Sequence, residues 1–188
     1  MRLTEIVHHE LERHLNPGDC VIDATAGNGH DSAKLATCVG ASGHLLAIDL
    51  QPAAIAATTA RLESLGLTDR CTFLCEDHAA ALHTLRTAYA GRISAIVFNL
   101  GYLPGSDHRI QTEPSTTVAA LEACPTLLRP GGLLLVTAYR GHPGGAGEAA
   151  QVATWMQQRH NWEVRAQEPT AHGTRIPPIL WQARVPGP

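Results

Sequence analysis

Apolar residues at Leu3, Ile6, Val7, Leu11 and Leu15 follow the three-and-four spacing of one helix face. The spacing predicts a helix over 2–15, ended by Asn16-Pro17-Gly18. A short apolar run then breaks at glycine (CVIDATAG, 20–27), as a strand buried on both faces would. Residues 30–39 return to a helical pattern, HLLAIDL (44–50) reads as a second buried strand, and 52–65 as an Ala-rich helix with Pro52 in its first turn. CTFLCED (71–77) predicts a third strand and 78–90 a helix. SAIVFNLGYL (94–103) begins as a fourth strand and passes into a Gly/Pro-rich loop. A helix over about 114–128 leads through Arg129-Pro130-Gly131-Gly132 to a fifth strand, LLLVTAY (133–139). A glycine-rich stretch (141–147) precedes a helix ending near His160. NWEVRAQE (161–168) and PPILWQARV (177–185) follow as strands with no helix between them.

Strands alternating with helices imply an α/β fold around a mostly parallel seven-stranded sheet. The last two strands are joined by fewer than ten residues, too few for a crossover, so they should form a C-terminal antiparallel hairpin. No linker or repeat interrupts the order, and the 188 residues are expected to form one domain, 1–188.

Composition narrows the function classes. The formal charge is −3, which excludes a general polycation for coating nucleic acid. The balance is uneven: 1–128 carries 8 basic and 14 acidic side chains, and 129–188 carries 6 and 3. A polyanionic partner should therefore meet the later part. No apolar run approaches the roughly 18 residues of a membrane span, and the N-terminal stretch has acids and histidines where a signal peptide would be apolar, so a cytoplasmic location and no membrane partner are expected. Five cysteines without a close CxxC pair read as free thiols. Eleven histidines raise the question of a metal, but His8, His9 and His14 are scattered on a helix and His78 and His83 lack ligand spacing. Solvated or hydrogen-bonded histidines are expected, with no metal.

The candidate chemistry begins at Asp23-Ala-Thr-Ala-Gly27-Asn28-Gly29-His30-Asp31, where glycines let the backbone approach a ligand at the carboxyl edge of the sheet. A dinucleotide fingerprint would place glycine where Ser32 stands, and a P-loop would end in GK[ST]. Carboxylates at Asp23 and Asp31 would repel a pyrophosphate but favour a ligand with an ammonium and a sulfonium, such as S-adenosyl-L-methionine. Asp49 ends the second strand 22 residues after Gly27, near the usual offset of a ribose-binding acid. Glu76, Asp77 and His78 close the third strand, where an adenine edge could be held. Each acid alone also suits a helix N-cap or turn; together, at the ends of three successive strands, they favour a ligand.

Phe98-Asn99-Leu100-Gly101-Tyr102 ends the fourth strand. An Asn amide beside a tight turn can accept hydrogen bonds from an amino group and aim its lone pair at a methyl donor. The segment is similar to the Asn-Pro-Pro-Tyr motif of amino-methyltransferases, with Leu100-Gly101 in place of the prolines. A free alkylamine is mostly protonated near neutral pH, so a base or a desolvated pocket is needed. Asp107, His108, Tyr139 and His142 fall after the fourth and fifth strands, and Asp107 or His108 is the candidate base.

Together DATAGNGHDS, AIDLQPAAI, FNLGYLPGSDH, Thr116-Thr117 and YRGHPGGAGE closely resemble the MnmM (YtqB-like) family of small bacterial methyltransferases, over about residues 3–185. The resemblance implies a Rossmann-like class I methyltransferase fold and S-adenosyl-L-methionine as cofactor. The implied reaction methylates the amine of 5-aminomethyl-2-thiouridine at the tRNA wobble position. Asp23, Gly27, Asn28, Gly29, His30, Asp31, Asp49 and Gln51 would form the cofactor side, joined by Asn99 and Gly101, with Asp77 and His78 near the adenine. Asn99, Gly101, Tyr102, Asp107, His108, Tyr139 and His142 would face the acceptor. Arg109, Arg140, Arg159, Arg165 and Arg175 would grip the anticodon stem-loop, and a homodimer is possible. Competing readings are an exocyclic amine of rRNA, DNA or a small molecule as acceptor, a nicotinamide-dependent reductase, and a non-catalytic RNA-binding module. Eight Trp, Tyr and Phe in the chain make a poor stacking platform for the last.

Overall fold

The computed structural model describes residues 2–101, 114–169 and 176–187. The apolar runs become strands: β1 (Cys20–Asp23), β2 (His44–Asp49), β3 (Cys71–Cys75), β4 (Ile93–Leu100), β5 (Leu128–Ala138), β6 (Glu163–Gln167) and β7 (Ile179–Arg184). The helices are α1 (Leu3–His14), α2 (His30–Val39), α3 (Pro52–Ser64), α4 (His78–Tyr89), α5 (Pro114–Leu127) and α6 (Gly145–Gln157), with one 3-10 turn at Thr68–Arg70. The seven strands lie in the order β3-β2-β1-β4-β5-β7-β6. The first five are parallel, while β7 runs antiparallel to both β5 and β6, as the short final connection requires.

Successive residues of each central strand point to opposite faces, and both faces are covered, which is why the strands read as unbroken apolar runs. Val21, Leu45, Ala47, Ala95, Val97, Leu133 and Leu135 share one core with Leu3, Ile6, Val7 and Leu11 of α1, Leu35 and Val39 of α2, and Leu62 of α3. Ile22, Leu46, Ile48, Ile96, Phe98, Leu134 and Val136 share the other with Leu82 of α4, Leu121 and Cys124 of α5, and Val152 and Trp155 of α6. All five cysteines are free. No helix among the described residues is long and apolar enough to cross a membrane.

Besides small shifts at other element ends, three boundaries differ from the sequence reading. β1 stops at Asp23, and the chain turns from Ala24 onward because the amides of Ala24 and Ala26 donate to the carbonyls of Val97 and Ile48 on either side. β3 stops at Cys75, since Asp77 is already the N-cap of α4. β5 opens at Leu128, five residues early. Leu128 pairs with Ile93, and the register then slips so that Ala95 meets Leu133. Gly131 (φ 73°) makes the bulge possible, and at Gly132 a Cβ would lie 2.8 Å from the Arg129 carbonyl oxygen.

The position of β1 matters most for function. Its neighbours are β2 on one side and β4 on the other, so the chain leaves the sheet in opposite directions from adjacent strands. Such a switch point opens a crevice at the carboxyl ends of the strands.

Candidate active site

The loop after β1 forms one wall of this crevice, and much of it is fixed by its own surroundings. Gly27 (φ 55°) and Gly29 (φ 76°) adopt left-handed conformations, and a Cβ at Gly29 would stand 2.9 Å from the Thr58 Cα. The Gly27 amide donates to Asp49 Oδ2 (2.9 Å), Ala26 to the Ile48 carbonyl (2.8 Å) and Gly29 to the Ala26 carbonyl (2.8 Å). From α3, Thr58 Oγ1 donates to the Gly27 carbonyl (3.1 Å) and Arg61 Nε to the Asn28 carbonyl (2.6 Å). His30 Nε2 also lies 3.3 Å from Arg61 Nη2. Neither Thr58 nor Arg61 was singled out from sequence; the only hint is a β-branched and a cationic residue three apart on an otherwise Ala-rich helix.

The acids take distinct places. Asp23 is fully buried: Ser32 Oγ donates to its Oδ2 (2.6 Å) and the Thr25 amide to its Oδ1 (3.2 Å). Burial, reinforced by the negative charge of Asp31, pushes its pKa up to about 7. Asp49 ends β2 and accepts from the amides of Gly27 and Gln51, one on each oxygen. Asp77 caps α4, its Oδ1 accepting from the amides of Ala79 and Ala80. His78 is turned inward, edge-on to Phe98 with ring centroids 5.9 Å apart and bonded to the Thr116 backbone; burial holds its pKa below the ordinary histidine range.

Asn99, expected on the acceptor side, is bonded to the loop after β1 and to α2. Its amide nitrogen Nδ2 donates to Asp31 Oδ2 (2.5 Å), and its backbone N–H donates to Thr25 Oγ1 (2.7 Å). Asp31 Oδ1 accepts from His8 Nε2 of α1 at 2.6 Å. A methyl on Gly101 would lie 3.4 Å from Tyr139 Cβ and 3.7 Å from His142 Nε2, so these three residues also adjoin. Burial, then the charge of Asp31, raises the Tyr139 hydroxyl above the usual tyrosine range. Thr117 Oγ1 donates to Glu148 Oε1 (2.6 Å), both buried, which joins α5 to α6 behind this corner. Tyr102, Asp107, His108, Arg109 and Arg175 lie outside the described residues.

Two expected RNA-gripping arginines are occupied. Arg140 donates through Nε and Nη2 to the Pro177 carbonyl (2.9 and 2.7 Å) and pairs with Glu168 (2.8 Å). Arg159 lies 4.0 Å over the Trp155 ring and beside Glu122. Among the described residues no group of three His, Cys, Asp or Glu side chains is placed to hold a metal.

This donor set tests which ligand fits. The amides of Ala26, Gly27 and Gly29 are committed to β2 and to the loop itself, where a phosphate-binding loop would present such groups to its ligand. Asp31 and Asp49 instead offer acceptors and negative charge, the complement of an ammonium, a sulfonium and ribose hydroxyls.

Residues 45–182 match the model of a family described as "Putative rRNA methylase". The chain belongs to this family. The crystal structure of a Clostridium thermocellum protein of the same description is 34% identical, covers 96% of each chain and superposes with a TM-score of 0.88. A Streptococcus mutans methyltransferase solved in complex with SAH is 26% identical over 98% of this chain and 99% of its own, with a TM-score of 0.83. The fold is therefore the Rossmann-like class I methyltransferase fold. An Arabidopsis thaliana protein, the chloroplastic tRNA (mnm(5)s(2)U34)-methyltransferase, is 36% identical over 159 residues. That match covers 78% of this chain but only 56% of the plant protein, so the chain spans little more than half its length.

Proposed function

We propose that this family member is an S-adenosyl-L-methionine-dependent N-methyltransferase. Its acceptor is the primary amine of 5-aminomethyl-2-thiouridine at the tRNA wobble position, and its product is the methylaminomethyl nucleoside. The observation that carries the amine chemistry is the Asn99 amide. Its nitrogen donates to Asp31, which fixes the amide's orientation and leaves the carbonyl oxygen on the other side to accept an N–H of the amine. Support for tRNA comes from the name of the plant relative, and support for the cofactor from the SAH-bound streptococcal relative.

When bound, S-adenosyl-L-methionine supplies an electrophilic methyl group carried on a cationic sulfur. Asp49 at the end of β2 would accept from ribose hydroxyls through the lone pairs left by the Gly27 and Gln51 amides, and the loop from Ala24 to Gly29 would form the wall beside it. Asn99 Oδ1 accepts an N–H of the incoming amine and so turns the nitrogen lone pair away from Asn99. Only a neutral amine has that lone pair to give, so the acceptor reacts in its deprotonated form, beside the corner formed by Gly101, Tyr139 and His142.

The test is methylation in vitro of tRNA bearing the aminomethyl group, with nucleosides resolved by mass spectrometry. The expected result is loss of the aminomethyl nucleoside and gain of its methylated form. Methyl incorporation into rRNA but not into this tRNA would favour the literal family description and overturn the assignment.

A further inference from the structure

We propose that His8 and Asp31 form a positioning pair that fixes the side-chain amide of Asn99 for the acceptor amine, a role that rests on the amine-methyltransferase reading above. The three side chains lie on α1, in the first turn of α2 and near the end of β4, and meet in one chain: His8 Nε2 to Asp31 Oδ1 at 2.6 Å, Asn99 Nδ2 to Asp31 Oδ2 at 2.5 Å. A carboxylate can only accept, so both neighbours must present N–H groups to it. The orientation of the Asn99 amide follows. An asparagine side chain has an oxygen and an amino group of nearly equal size, and nothing in its shape decides which end faces a ligand. The bond to Asp31 decides it. The amino group is held on the protein side, and among the described residues none donates to Oδ1.

Asp31 can play this part only if it is itself held. One of its oxygens is used by Asn99, and the other would leave the carboxylate free to turn about its side-chain bonds. His8 supplies the second donor, and its position is set by the burial of its helix neighbours Ile6, Val7 and Leu11 in the core. The side chains of His8 and Asp31 are 28% and 13% exposed, so the chain of bonds runs from near the surface of α1 into the crevice. The backbone of Asn99 is fixed independently by Thr25, which leaves the amide rotation as the one degree of freedom that His8 and Asp31 control. The sequence showed only that His8 sits on a helix well before the loop; nothing in its spacing marked a partner 23 residues on.

The experiment compares the wild type with His8→Ala, His8→Gln and Asp31→Asn, following turnover on aminomethyl-tRNA, S-adenosylhomocysteine affinity by calorimetry, and the Asn99 side-chain amide resonances in the ligand-free protein. A single hydrogen bond to a charged group is worth on the order of a tenfold effect or more. His8→Ala should lower kcat about tenfold with S-adenosylhomocysteine affinity held within about threefold. The glutamine variant, which restores an N–H toward Asp31, should recover most of the loss. Asp31→Asn leaves one acceptor oxygen for two N–H donors, so it should be impaired as well, with the Asn99 amide resonances shifted from their wild-type positions. The pair is overturned if His8→Ala keeps kcat within about twofold, if His8→Gln is no better than alanine, or if kcat and cofactor-product affinity fall together. A wild type that leaves aminomethyl-tRNA unmethylated overturns the acceptor instead. The pair is then judged on the amide resonances alone, and resonances unmoved in His8→Ala overturn it.

Discussion

At Gly29 a left-handed backbone and a helix packed against the Cα position coincide. Gly29→Ala must therefore strain the turn and push α3 away, and we expect a loss of about 2–3 kcal/mol in stability, read as a lower denaturant midpoint with an unchanged slope. Asp23 carries a different cost. Its folded pKa of about 7 stands above the ordinary aspartate value of 3.8, so the folded state binds the extra proton. The contribution is fully present below pH 4 and is lost as pH rises toward about 7. Asp23→Asn can keep both contacts, since the Ser32 hydroxyl can turn to accept from the new amide, and it should flatten that fall. Urea melts of the two proteins between pH 4 and 8 measure it; parallel curves would remove the explanation.

Among elements, α1 has a second anchor at its other end. His14 Nε2 donates to the Ser94 carbonyl (2.9 Å), and Arg184 Nη1 of β7 reaches His14 Nδ1 (3.2 Å). Burial is the main cause of its lowered pKa, with the cationic Arg184 and Arg129 adding to it. The sign is opposite to that of Asp23. The folded state binds fewer protons than the unfolded one, so stability is complete above about pH 6.5 and declines below it. His14→Gln should remove that acid-side decline, and its melting temperature should change less than the wild type's between pH 7 and 5.

The elements also show what sequence could convey. Strands buried on both faces announce themselves as apolar runs, and acids at their ends mark the crevice. Asp77 shows the limit, because an acid before a helix looks the same whether it caps the helix or holds a ligand. The early start of β5 was hidden because Arg129-Pro130-Gly131-Gly132 reads as a turn and forms a bulge instead. The partners of His8, Thr58 and Arg61 lie 23 to 33 residues away, beyond the reach of any periodicity.

On the scale of the whole molecule, residues 129–188 hold the excess of positive charge, yet Arg140 and Arg159 spend theirs internally. Arg140 joins Glu168, just after β6, to Pro177, just before β7. Arg140→Gln should therefore lower the melting temperature. If the wild type binds tRNA through phosphate contacts, its affinity falls steeply with salt, and this variant should leave the slope of log Kd against log salt within about one of the wild-type value. A larger change in slope would return Arg140 to the RNA surface.

The internal bonding of the loop between Ala24 and Gly29 has a thermodynamic consequence. Its glycines are seated, its carbonyls are tied to Thr58 and Arg61, and three of its amides are committed within the fold. The entropy of ordering that wall is lost during folding rather than at each encounter with a ligand. The amides of Ala26, Gly27 and Gly29 should then exchange slowly with solvent even in the ligand-free protein, and a ligand should find its seat already made.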